Sequence, residues 1–327
     1  MRCLVLFSGS LESLLAAKLM QEQGIEPIGL FFATLCSRNE PPVALADRLG
    51  MRLNVVEQDA DYCEAIRHPT LGRTRQAAAC LDCRVHLLRQ TKLRLPETDA
   101  SFLVSGEVIG QRPQSQNRPD LDAVAYHAQV EDLLVRPLSA RLLPETLPER
   151  EKWIDRGRLY AFHGNAHQGM LELARGFGWN DLPASRPGCG LTDRAVSARV
   201  FDHLQHTTGN DPAEFNLLAF GRHFRFDEAT KVVVGRNKSE NEQLLEFAAS
   251  HPLTPALGKP ANFAGPAALI LGEASPASRA FASALLARFG KPTTASPAVE
   301  WRQADETIVL EVQPNDQAAA ATAIGAQ

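Results

Sequence analysis

Long apolar runs are missing from this sequence: nothing in it approaches the roughly 20 consecutive apolar residues that cross a bilayer, so no membrane-spanning helix is expected. A secretory leader is not expected either, because the apolar stretch from Cys3 to Phe7 is too short, carries no cleavage site and runs directly into a glycine turn. Cysteine is scarce, with six in 327 residues, which excludes a disulfide scaffold and leaves the thiols reduced, metal-binding or catalytic. A basic excess is also absent. The formal net charge of -4 gives no global attraction to nucleic acid, so any RNA contact must come from a local patch. No internal repeat occurs at solenoid spacing. What remains is a soluble, cytoplasmic protein whose 44% hydrophobic content can fill a sizeable core, and whose length calls for two domains.

Arg2 to Phe7 reads as a buried strand, followed by the turn Ser8-Gly9-Ser10 and an apolar helical pattern through Leu11, Leu14, Leu15, Leu19 and Met20 that ends near Gly24. Glu26 to Ala33 and Arg52 to Val56 read as further strands, with a helix from Val43 to Leu49 between them, and another strand is expected at Phe102 to Ser105. This alternation predicts an α/β fold with a doubly wound parallel sheet. The stretch from His206 to Pro212 has linker composition, so the expected domains are 1–205 and 214–327. The second is expected to be a smaller α+β domain, with strands at His223–Phe226, Lys231–Gly235, Ala267–Leu271 and Thr307–Val312 and helices at Ser239–Ala249 and Ser278–Phe289. The Ala- and Gln-rich end, Gln313 to Gln327, shows no core pattern and is expected to fray.

Three motifs carry chemistry. Ser8-Gly9-Ser10-Leu11-Glu12-Ser13 places a small-residue loop at a helix N-terminus, where backbone N–H groups point at an anion such as phosphate; an ordinary capped turn is the bland alternative. Ser105-Gly106-Glu107-Val108-Ile109-Gly110-Gln111-Arg112-Pro113-Gln114-Ser115-Gln116 follows a second strand, and in open α/β sheets both loops would line one crevice. There Arg112 would neutralise phosphate charge and Gln111 or Gln116 would donate hydrogen bonds; otherwise this is a surface loop. Cys80-Leu81-Asp82-Cys83 puts two thiols on one side of a helix start, with Cys189 far along the chain in Pro187-Gly188-Cys189-Gly190. Cys3, Cys36 and Cys63 are isolated and read as core residues.

The first motif resembles the Ser-Gly-Gly-x-Asp-Ser signature of PP-loop ATP pyrophosphatases. Ser10 stands where a second glycine is usual, and Glu12 where Asp is usual, which keeps the charge on a longer arm. The second resembles the Gly-Glu, Gly-Gln and Ser-Gln segment of ThiI-like 4-thiouridine synthases. The Leu134-Val135-Arg136-Pro137-Leu138 stretch and Gly188-Cys189-Gly190-Leu191-Thr192 resemble further segments of tRNA thiolation enzymes, so the likeness runs from Met1 to about Val200. The resemblance implies that Ser8, Gly9, Ser10, Leu11, Glu12, Ser13, Gly106, Glu107, Gly110, Gln111 and Arg112 bind ATP and Mg²⁺. It also implies that Glu12, Cys80, Cys83 and Cys189 are catalytic, with the three cysteines as ligands of a [4Fe–4S] cluster. A zinc site completed by His86, a persulfide relay between Cys83 and Cys189, and inert thiols stay open.

Arg136 and Arg141 read equally as phosphate or RNA contacts or as solvated charges. His163 and His167, at i and i+4, could share a helical face and a metal, though a structural role is the commoner outcome. In the second half, Phe220-Gly221-Arg222-His223-Phe224-Arg225-Phe226 and Lys231 to Glu242 form the only basic-aromatic concentration, which resembles the NFACT-R type RNA-associated module. Arg222, Arg225, Lys231, Arg236 and Lys238 would contact phosphate, and Phe224 or His223 could stack on a base, unless the aromatic residues face the core.

The expectation is an ATP-dependent tRNA sulfurtransferase that adenylates a uridine and inserts sulfur, with tRNA and a sulfur donor protein or sulfide as partners. Two alternatives stay open: a catalytically altered nucleotide- or RNA-binding protein, and an adenylating enzyme for a non-RNA substrate.

Overall fold

The computed structural model describes residues 1–36, 40–181 and 188–326. They form two compact units, Met1–Cys189 and Gly190–Gln327. No helix among the described residues is long and apolar enough to cross a membrane.

The first unit runs β1 (Arg2–Leu6), α1 (Leu11–Gln21), β2 (Glu26–Ala33), α2 (Val43–Arg48), β3 (Leu53–Glu57), α3 (Ala60–Arg67), α4 (Cys80–Leu93), α5 (Leu95–Thr98), β4 (Phe102–Ser105), α6 (Arg118–Ala128), β5 (Leu134–Val135), α7 (Leu147–Arg150) and α8 (His167–Gly176). Its five strands are ordered β3-β2-β1-β4-β5, and every pairing is parallel. The run Cys3-Leu4-Val5 is buried without alternation because the sheet is covered on both faces. Cys3, Val5, Phe102 and Val104 join α1 and α8 in one core. Leu103 and Leu134 join Val85 and Leu88 of α4 and Val124 of α6 in another. The doubly wound parallel sheet is therefore as expected. Strand order reverses between β1 and β4, which creates a crevice at their carboxyl ends.

The second unit contains α9 (Arg194–His206), α10 (Pro212–Leu217), β6 (Arg222–Arg225), β7 (Lys231–Val234), α11 (Lys238–Ser250), β8 (Ala256–Pro260), β9 (Ala268–Leu271), α12 (Pro276–Phe289), β10 (Ala298–Gln303), β11 (Glu306–Glu311) and α13 (Asp316–Ala320). Its six strands, ordered β11-β10-β8-β9-β7-β6, pair antiparallel throughout. In β7, Val232 and Val234 face the core shared with α12, while Val233 faces that of α11, so the whole strand is buried.

Three strands escape sequence reading: β5, β8 and β10. β8 contains Gly258, where a Cβ would lie 2.6 Å from the Trp301 ring of neighbouring β10, so glycine there makes room for a buried indole. The chain's end also departs from expectation. Ala318 of α13 is buried, Arg288 donates to the carbonyls of Ala318 and Ala321, and the Ile324 N–H donates to His223 O at 2.7 Å, so the tail is ordered against the domain.

Candidate nucleotide and thiol site

The turn after β1 is shaped by its hydroxyls and one glycine. Gly9 takes φ +75°, which only glycine adopts freely, and Ser10 caps α1 by accepting from the Ser13 N–H at 3.4 Å. Ser8 Oγ and Ser10 Oγ lie 3.1 Å apart, and Ser13 Oγ donates to Ser10 O at 2.9 Å. The helix thus presents its amino end, with Glu12 in its first turn, to the crevice.

The loop after β4 docks on this turn. At Gly106 a Cβ would lie 2.6 Å from the carbonyl of Glu12 and 2.7 Å from the Ser13 nitrogen, so only glycine permits the approach. Gln111 Nε2 then donates to Glu12 Oε1 at 2.6 Å, joining two motifs that lie 99 residues apart in sequence. Gly110, at φ +75°, donates to Gln116 O at 2.7 Å and closes the loop, leaving Arg112 exposed at its rim. Gln116, in contrast, is buried, and its Oε1 has no hydrogen-bond partner.

Glu107 lies beneath the loop rather than on it. Its buried carboxylate pairs with Arg84, accepts from Arg136 Nε at 2.8 Å and from Ser105 Oγ at 3.0 Å. Burial alone would raise its pKa, but the two guanidinium charges and these hydrogen bonds hold it at about 2. Glu107 is therefore a fixed anion that positions the loop, and Arg136, 6% exposed, is neither a phosphate contact nor a solvated charge. Arg141 is exposed.

Arg84 carries the network to the thiols, since it follows Cys83 on α4. Cys80 and Cys83 occupy the first turn of that helix, and Asp82 between them accepts from the Thr70 and Leu71 N–H groups, fixing the preceding loop. Cys83 Sγ lies 3.1 Å from the hydroxyl of the buried Tyr62. Burial pushes the Cys83 thiol up to about 12, partly offset by that hydrogen bond, while Cys189 raises it and Arg84 lowers it. Tyr62 is raised by its own burial and then by Cys83, Cys189 and Cys36, so Cys36 belongs to this neighbourhood and is not isolated. Cys3 and Cys63 are core residues, as expected.

Among the described residues, no three His, Cys, Asp or Glu side chains are placed to hold a metal. Cys80 and Cys83 are half-buried and Cys189 is exposed; Cys83 is held by the Tyr62 phenol, and both other thiols act on its electrostatics, so the three share one neighbourhood. Pro187 of the Cys189 segment lies outside the described residues. His86 does not complete a zinc site: it packs on Tyr62 and faces Asp59 at 3.5 Å. His163 and His167 do not share a helical face either, because α8 begins only at His167.

In the second unit, the basic-aromatic run is largely internal. Phe224 and His223 are buried, which removes them as stacking platforms. Arg225 pairs with Asp202, with its Nε 3.2 Å from Oδ1, and buried Lys231 lies 3.8 Å from the same carboxylate. Arg236 pairs with buried Glu240, and Arg222 lies over the Phe289 ring. Lys238 alone of the five is almost fully exposed.

Fold and site together define a parallel α/β unit with a hydroxyl-rich turn at its switch point, followed by an antiparallel α+β unit. Residues 221–322 of the latter match the family model NFACT-R_2, the NFACT protein RNA binding domain. No curated protein matches the chain. Among solved structures, a protein described as a predicted subunit of tRNA methyltransferase from Methanocaldococcus jannaschii is similar at 15% identity and TM-score 0.32, over 50% of this chain and 93% of that one. A 4-thiouridine synthetase in an RNA complex with bound ATP is similar at 18% identity and TM-score 0.33, over 48% of this chain and 41% of that one. The NMN synthetase of Francisella tularensis aligns at 13% identity and TM-score 0.26, over 57% of this chain and 89% of that one.

Proposed function

We propose that this chain is an ATP-dependent RNA-modifying enzyme of the PP-loop type, which adenylates a uridine of tRNA and exchanges its carbonyl oxygen for sulfur. The observation that carries this reading is the docking of the Gly106–Gln111 loop on the Ser8–Ser13 turn, sealed by the bond from Gln111 to Glu12. Two loops at one switch point, with hydroxyls, a helix amino end and an exposed Arg112, suit a triphosphate. Mg²⁺ needs only one or two carboxylates when phosphates complete its shell, and Glu12 keeps a second oxygen for that role.

The uridine oxygen attacks the α-phosphorus of ATP, the bond to the β-phosphate breaks, and pyrophosphate leaves. Sulfane sulfur passed from a persulfide on a donor protein to one thiol of the cysteine group, with the donor's thiol released, then attacks the activated carbon and AMP departs; sulfide as donor would attack that carbon directly, with no persulfide formed. A second thiol resolves the resulting disulfide link, freeing the thiolated base and leaving a protein disulfide that an external dithiol reduces. The thiols of Cys80, Cys83 and Cys189 are the candidates for these roles, and no step is assigned to a cluster. The match at 221–322 supports RNA as the partner held by the second unit.

Glu12→Ala is expected to lower pyrophosphate release in the presence of ATP and tRNA by at least about 100-fold, the scale of losing a transition-state charge contact. Unchanged release would remove Glu12 from the mechanism. A nucleotide-binding protein without catalysis is the second reading, favoured by the engagement of Glu12 with Gln111. Retained ATP binding by the wild type with no pyrophosphate release would select it.

A further inference from the structure

Gln58 is a polar side chain that the fold does not account for. It follows the last residue of β3 and is 7% exposed, yet neither its amide nitrogen nor its carbonyl oxygen has a hydrogen-bond partner. Among the described residues it is the only buried side chain with both polar atoms unpaired. Nearly all such atoms in folded proteins are paired, so one that is not calls for a physical reason.

Its position supplies the reason. Neighbouring strands lie about 4.8 Å apart, so the carboxyl end of β3 is roughly 10 Å along the sheet edge from the turn after β1. A nucleoside triphosphate with its phosphates on Ser8–Ser13 can span that interval with its base. A carboxamide offers a donor beside an acceptor, which matches the amino hydrogen and N7 of adenine; inosine presents two acceptors there, which neither orientation of the amide can match. Both groups are closed to water in the structure, so the base must open the crevice to reach them, and the dry contact then makes the match selective.

We propose that Gln58 is the base-reading residue of the nucleotide crevice, pairing with the adenine edge of bound ATP. The assignment rests on the reading that the turn after β1 holds ATP phosphates. It separates recognition along the sheet edge, with Gln58 reading the base and the two docked loops gripping the phosphates.

The test measures binding of ATP, inosine triphosphate and inorganic tripolyphosphate to the full chain and to Gln58→Leu, with thermal melting of both. The wild type is expected to favour ATP over inosine triphosphate about 10-fold, because inosine lacks the amino donor. Gln58→Leu should bind ATP about 10-fold more weakly, bind tripolyphosphate unchanged, and melt at the same or a higher temperature, since an unpaired buried amide has been removed. Equal affinity of the wild type for the two nucleotides, or equal ATP affinity in the two proteins, overturns the assignment and leaves the phosphate loop intact. A lower melting temperature of the variant also overturns it, by showing that the amide is paired within the fold, as does a parallel loss of tripolyphosphate binding. A wild type that binds neither ATP nor tripolyphosphate removes the nucleotide reading itself.

Discussion

The two units bury charge in opposite ways. In the first, Glu107 lies between Arg84 and Arg136 and also accepts from Ser105, so its partners outweigh its desolvation and its carboxyl is held at about 2. In the second, Lys231 shares Asp202 with Arg225 and His206, and burial pushes its ammonium down to about 8. A carboxylate with two guanidinium partners stabilises its fold, whereas an ammonium whose carboxylates, Asp202 and the weaker Glu214, are opposed by Arg225 and Arg199 costs its fold stability. The difference shows that burial alone says little about the worth of a charge; the number of partners free to serve it decides the sign.

The signs oppose each other in pH as well. Glu107 is depressed from an ordinary 4.5, so its contribution is complete above about pH 4.5 and is lost as pH falls toward 2. Lys231 is depressed from an ordinary 10.5, so the folded unit binds its proton more weakly than the unfolded chain does. The second unit is therefore penalised below about pH 8 and gains stability as pH rises from 8 to 10.5.

The largest effect should come from Glu107→Ala, which leaves Arg84 and Arg136 without their carboxylate and should cost the first unit about 3–5 kcal/mol. Urea unfolding followed through Trp153 and Trp179, with Trp301 replaced by Phe, would read it, and a loss below about 1 kcal/mol would break the comparison. Next is Gly106→Ala, whose Cβ would press on the Glu12 backbone at 2.6 Å. Such overpacking costs about 1–3 kcal/mol, and by parting Gln111 from Glu12 it should also weaken ATP binding, measured by calorimetry. Intact binding would show that the two loops act independently. The smallest effect has the opposite sign: Lys231→Met should stabilise the second unit by about 1 kcal/mol at pH 7 and abolish its rise between pH 8 and 10.5, with Trp301 as reporter. A loss of stability would mean that Asp202 needs the lysine.

Much of this was legible in sequence. The strands at 26–33 and 102–105 and the helix after Ser10 announced themselves through uninterrupted apolar runs and a capping serine, because a doubly covered sheet leaves no room for alternation. β8 did not, since Gly258 and Pro260 are poor strand formers and only the Trp301 ring explains the glycine. The ordered tail was missed because its alanines gain value only from the surface they meet. Lys231 was read as a phosphate contact from residue type, and its burial reverses that reading; for Phe224 and His223 burial selects the core-facing alternative, and Arg136 proves to be neither of the two roles left open for it. Tyr62, Cys36 and Gln58 carried no local signal at all: each stands outside the recognised motifs, and what singles it out is the company it keeps or lacks.

The sequence by itself determined the alternation of elements, the glycine and hydroxyl turn after β1, and the pairing of Cys80 with Cys83 on one helix start, since these depend on residues within a few positions of one another. Tertiary structure alone decided which charges pair, that Glu107 holds the loop from below, that Cys83 lies against Tyr62, and that Gln111 reaches Glu12. Those outcomes depend on distances set by strand order and on burial that no short stretch of chain encodes, because electrostatic and hydrogen-bond energies follow separation in space and access to water.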